Sequence, residues 1–185
     1  MSERLPFTPP GRLLSPEELE KITEAVAADR SLWAECLERC TAERTYVDVF
    51  TDEHLGVWVI SWMADGHDTG FHDHDSSCGA VHVVEGAIRH EHLRLGERPT
   101  GAAAEAGTTY SFDDTFIHRM RREPGAGPTV TVHAYSPPLE RTGQYGEQRD
   151  GLLHRTSTAA AEQLVPHGRQ GTPSEVRPGP VRETT

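Results

Sequence analysis

The sequence predicts a mainly-β fold, an antiparallel barrel or sandwich preceded by helices. Two observations predict it. Between residues 44 and 140 the chain reads as short runs rich in Val, Ile, Thr and aromatics: TYVDVF, LGVWVISWM, GAVHVVEG, AIRHEHLRL, GTTYSF and TVTVHAY. Gly, Asp and Pro punctuate these runs, and no helical pattern separates them, so the strands pair as neighbours rather than through crossover helices.

The elements follow in order. Residues 1–14, with three Pro and one Gly, read as an extended arm. Ser15-Pro16-Glu17-Glu18 is a helix start: a hydroxyl N-cap, Pro at the first helical position, then acids at the positive end of the helix dipole. Leu19, Ile22 and Val26 continue at helical spacing, and Leu32, Trp33, Cys36 and Leu37 predict a second helix. Residues 1–43 are therefore expected to pack as arm and helices on a barrel spanning 44–140. Within that barrel IRHEHLRL alternates strictly, as a strand with one wet face does. Residues 141–185 are expected to form a largely irregular extension, because large apolar side chains thin out and Pro, Gly, Ser, Thr and charge take over from about 155. No internal repeat is present.

Composition excludes several classes. A length of 185 residues suits one domain. The net charge of −11 disfavours nucleic acid, which is bound by a basic face. No run of 18 apolar residues spans a membrane, and MSERLPFTPPGR lacks the apolar stretch of a secretory leader, so a cytoplasmic protein is expected, a monomer or weak homodimer. Cys36 and Cys40 resemble half a zinc site, but no second pair completes it; with Cys78 they read as reduced structural thiols.

Histidine is the residue in excess. Seven of the eleven fall between His54 and His92. On an extended segment residues two apart share a face, so His72 and His74 present two imidazoles side by side. His118, which follows the GTTYSF strand and a turn, is the candidate third ligand. Three neutral imidazoles leave a divalent metal with its full charge and open positions. His90-Glu91-His92 is a second His-x-His without an obvious third partner and reads as structural, as do His54, His67, His82 and His154.

These residues resemble the cupin superfamily, a double-stranded β-helix or jelly-roll barrel. Gly66, His72, His74 and Gly86 stand at the spacings of its first motif, with Gly79 in place of the usual Glu. Gly107 and His118 match the frame of the second motif, whose Pro, Gly and Asn positions are Asp113, Thr115 and Arg122 here. More narrowly, His72-Asp73-His74, Ser77, Gly79, His118-Arg119 and Thr131-Val132-His133-Ala134-Tyr135-Ser136-Pro137-Pro138 are similar to the cysteine dioxygenase family over residues 44–140. The resemblance implies an Fe(2+) enzyme that adds both atoms of O2 to a small thiol and yields a sulfinate. It assigns the metal to His72, His74 and His118. It assigns catalytic support to Tyr135, which orients the reactants, and to His133 and Thr131, which line up behind it on one strand face.

Two departures matter. Family members that cross-link a Cys to the Tyr carry that Cys at the position of Gly79; Cys78 is one residue away and faces the other side, so no cross-link is expected. Cysteine-binding members also place an Arg two residues after a Tyr. Here Tyr46 aligns with that Tyr and Asp48 with the Arg, which predicts a pocket that welcomes a cationic thiol, an aminothiol or an ergothioneine-like compound. Arg44 or Arg141 offers an alternative grip on a carboxylate such as that of cysteine. The readings of another class are a non-enzymatic metal-binding cupin sensor and a cupin oxygenase acting on carbon.

Overall fold

In the computed structural model, which describes residues 5–38, 44–94, 96–147 and 153–160, the described strands form two antiparallel sheets. The first runs β1 (Thr45–Thr51), β2 (Gly56–Trp62), β9 (Thr129–Ser136), β4 (Cys78–Glu85), β7 (Thr109–Phe112). The second runs β11 (Leu153–Ala159), β10 (Arg141–Glu147), β3 (Phe71–Asp73), β8 (His118–Arg122), β5 (Ala87–His92), β6 (Thr100–Glu105).

Side-chain parity along the central strands builds two cores. On β2, Ile60 and Trp62 point into the space between the sheets, while Val57 and Val59 point out. On β4, Val81 and Val83 go in and Ala80 goes out; on β9, Tyr135 goes in and Val130, Val132 and Ala134 go out. The inward residues meet Ile88, Ala104 and Met120 of the second sheet, which closes the two sheets into a cupin barrel. The outward residues are covered by helix α1 (Pro16–Ala28) and the short α2 (Ala34–Glu38) through Leu19, Val26, Trp33 and Cys36. Both faces of β9 are thus dry, and all eight of its residues are buried.

The helix start forms as its residues dictate. The Ser15 hydroxyl caps the Glu18 amide, and the Glu18 carboxylate returns to the Ser15 amide, a reciprocal capping box. Leu19 is fully buried at the contact with the sheet, so Leu19→Ala would cost about 2–5 kcal/mol. Gly86 ends β4 at φ +73°, and a Cβ there would collide with Thr129 and the Pro128 carbonyl, so the turn into β5 requires glycine.

Within the expected extension, β10 and β11 pair with each other and join the second sheet through β3. The paired sequence, RTGQYGE against LHRTSTA, holds few apolar residues, because it is an edge whose outer strand faces water. Residues 148–152 and 161–185 of the expected extension lie outside the described residues, as do Cys40 and Leu95.

Candidate metal centre and its cavity

Strand β3 is three residues long; it carries His72, and His74 follows its last residue. His72 pairs directly across from His118 on β8, and His74 leaves the end of β3 toward the same interior. All three imidazoles are buried, and their donor atoms lie within 4.8 Å of one another. The Nε2 atoms of His74 and His118 are 3.1 Å apart. Two nitrogens bound at right angles to one ion at about 2.1 Å would stand ~3.0 Å apart, so this pair fits a shared metal without rearrangement.

The other ring nitrogens fix the orientation unevenly. His72 Nδ1 donates to the Gly70 carbonyl at 3.1 Å, and His118 Nδ1 lies 2.9 Å from His90 Nε2, so both rings turn Nε2 inward. His74 Nδ1 is buried and has no hydrogen-bond partner among the described residues; that ring is held by stacking on Phe112, with centroids 4.4 Å apart. Burial lowers all three basicities, that of His72 to about 4, so the rings are neutral at pH 7 with lone pairs available to a cation. The donor set fits a divalent metal.

Asp73, between the two ligands, points the opposite way and is gripped from outside. Arg155 reaches it with Nε at 2.6 Å and a second nitrogen at 2.8 Å, and the Tyr145 hydroxyl donates at 2.8 Å. The Gly143 and Asp75 amides donate at 3.0 Å each. Burial opposes ionisation of Asp73, but these donors outweigh it and hold the carboxyl below the usual range.

Across the interior, β9 presents a line of hydrogen bonds. Trp62 Nε1 donates to Thr131 Oγ1 at 2.9 Å; Thr131 Oγ1 is 2.8 Å from His133 Nε2; His133 Nδ1 is 3.1 Å from the Tyr135 hydroxyl. An indole can only donate. With the His133 proton on Nδ1, donation runs from Trp62 through the Thr131 hydroxyl and the Nδ1–H of His133 to the Tyr135 oxygen. It leaves the Tyr135 proton free to point into the cavity. Burial holds His133 down to about 3 and pushes the Tyr135 phenol up, so both are neutral in this line.

A narrow cavity, open at its mouth, lies between His72 and the line. His72, His133, Tyr135 and Arg44 supply its polar side; Trp58, Ile60, Met120 and Leu139 supply its apolar wall. Arg44, buried, lies over the Trp62 ring at 5.0 Å; burial lowers its basicity to about 10, which leaves it charged at neutral pH. The structure places the other substrate candidates elsewhere. Asp48 is exposed, accepts from Thr51 Oγ1 at 3.1 Å, and borders an outer groove with Leu32 and Val47. Tyr46 is 40% exposed and packs on Trp58, with ring centroids 6.4 Å apart. Arg141 is exposed, bonds to Ser157 and lines an adjoining cleft that reaches the candidate ligand His74 and shares Trp58 and Leu139 with the cavity. Cys78 points away from the cavity, its thiol donating to the Leu14 and Ser136 carbonyls. Sequence reasoning missed Trp62, His90 and Arg155, whose contacts come from strands distant in the chain.

A cupin barrel in which three neutral histidines converge beside a buried phenol defines a cupin with a candidate metal site. The family model described as cysteine dioxygenase type I matches residues 11–148, and the chain belongs to the cysteine dioxygenase family. It is 25% identical over 154 residues to cysteine dioxygenase type 1 of Homo sapiens, covering 76% of this chain and 74% of that protein. The Danio rerio protein of the same name is 24% identical over 147 residues, covering 73% and 71%. Among solved structures, BH2720 from Bacillus halodurans is similar at 20% identity over 65% of this chain and 83% of that one, with a TM-score of 0.47. No helix among the described residues is long and apolar enough to cross a membrane.

Proposed function

We propose that this protein is an iron-dependent thiol dioxygenase whose substrate is a small thiol carrying a carboxylate, of which cysteine is the simplest amino-acid example. The observation that carries the reading is Arg44, a buried cation on the same small cavity as His72 and Tyr135. Ferrous iron held by His72, His74 and His118 supplies the redox chemistry by which RS⁻ and O2 combine to RSO2⁻, both oxygen atoms ending on sulfur.

The residues of the chain do the rest. Arg44 offers its planar fork to the carboxylate, a charge-assisted and bidentate contact that fixes the far end of the substrate. The thiol end then faces the three histidines. Tyr135, with its proton directed inward, gives one oriented hydrogen bond to the reacting groups, and His133 and Thr131 keep that phenol from turning. Ile60, Trp58, Met120 and Leu139 exclude water, which strengthens each of these polar contacts. Among the described residues no carboxylate lines that cavity to face a cationic thiol; Asp48 is outside.

The test is oxygen uptake and sulfinate formation by iron-loaded protein with cysteine, 3-mercaptopropionate, cysteamine and ergothioneine. The carboxylate thiols should lead. Faster turnover of cysteamine or ergothioneine would refute the role of Arg44, and iron binding without oxygen uptake from any thiol would favour a sensor.

A further inference from the structure

The second His-x-His of the sequence lies on β5, and its first histidine faces the metal centre rather than solvent. His90 is no ligand: it stands one ring behind His118, with Nε2 2.9 Å from His118 Nδ1. We propose that His90 is a positioning residue that accepts the Nδ1 proton of His118, locks that ring with Nε2 turned to the metal, and so raises the affinity of the three-histidine site. The proposal rests on the metal reading above.

The tautomers follow from valence. A histidine that binds metal through Nε2 carries its proton on Nδ1, and that proton needs an acceptor. His90 accepts through Nε2 and therefore carries its own proton on Nδ1. Its ring is fixed independently of His118: it stacks on Tyr110 with centroids 4.1 Å apart and planes 16° apart. Tyr110 is anchored in turn, its hydroxyl donating to the Met120 sulfur at 3.2 Å. Phe116 closes the other side, with its ring 5.8 Å from His90. An imidazole thus does here what a carbonyl does for His72. Flipping the His118 ring would lose the bond and turn a C–H toward His90, so the bound orientation is already selected before metal arrives.

The experiment measures cobalt(II) affinity, by its visible absorption in competition with a chelator, for wild type and for His90→Leu, His90→Phe and His90→Gln. Leu and Phe remove the acceptor, Phe keeps a ring against Tyr110, and Gln restores an acceptor. Thermal melts of the metal-free proteins report any purely structural effect. Affinity should fall about 10–100-fold in the Leu and Phe variants and return to within about threefold in Gln, with metal-free melting temperatures not tracking that order. Leu and Phe variants that bind cobalt within about twofold of wild type would overturn the proposal, as would a Gln variant as weak as Leu. If wild type itself took up no cobalt, the metal reading would fail first.

Discussion

Gly79 sits where a single methyl group should disturb the metal. It lies on β4 facing the interior, and a Cβ built there would stand 2.6 Å from two ring carbons of Phe112 and 3.0 Å from a ring carbon of Tyr135. Carbon atoms rest at about 3.5–4.0 Å, so in Gly79→Ala the Phe112 ring must retreat by about 1 Å. It has no slack: Phe112 is 4% exposed and is boxed in by His74, Phe116 and His118 at 4.4, 5.5 and 5.0 Å between ring centroids. Overpacking of this kind costs about 1–3 kcal/mol. For a chain of this size each kcal/mol moves the melting temperature by about 2–4 °C, so a drop of about 2–12 °C is expected. The ring that yields most readily is His74, the one candidate ligand without a hydrogen bond on Nδ1 among the described residues. Metal affinity should therefore fall by about tenfold or more as well. Differential scanning calorimetry and chelator competition measure the two effects, and Gly79→Ala combined with Phe112→Leu should relieve the overpacking but not restore the affinity, because it removes the ring on which His74 stacks. A Gly79→Ala protein with unchanged melting temperature and unchanged affinity would refute the claim that Phe112 is wedged against the ligand.

Other substitutions probe the remaining contacts. His118→Ala should abolish high-affinity iron binding, measured by metal analysis after dialysis; retention of one iron per chain would displace it from the ligand set. Tyr135→Phe should keep the metal and lower turnover by about 10–100-fold, and the intact mass of wild type should show no loss of two hydrogens, since Gly79 offers no sulfur to Tyr135. Arg44→Leu should cost about 2 kcal/mol or more for a carboxylate thiol, ~30-fold in kcat/KM, and far less for cysteamine; equal losses would place the carboxylate elsewhere. Arg155→Ala frees one side of Asp73 and should weaken metal binding although Arg155 lies outside the cavity; an unchanged affinity would show that the remaining donors suffice to hold β3.

Much of the barrel was legible because parity is written into single strands. Thr131, His133 and Tyr135 share one face of β9, and Val130, Val132 and Ala134 share the other, as alternation requires. Strand β6 (TGAAAE) escaped notice because Gly and Ala carry no β signal; pairing with β5 makes it a strand. The same parity misled at Asp48. Arg44, Tyr46 and Asp48 lie two apart, so spacing alone could not say which of them reaches the cavity. That choice is made by the Trp62 ring, which supports Arg44 at the buried end of the run, and by a bulge after Asp48 at its exposed end. His90 was passed over because its partner arrives from β8, twenty-eight residues later in the chain.

Trp62 carries Arg44 on its face and holds Thr131 at its edge. Under the proposed function, one indole thereby underlies two separate properties, the choice of substrate and the direction of the Tyr135 proton. Remodelling that ring to admit a different thiol would also turn the phenol around, so preference and turnover cannot drift apart through this residue. Room for a new substrate has to open on the apolar wall instead, at Ile60, Met120 or Leu139, where a change of shape leaves the proton line intact.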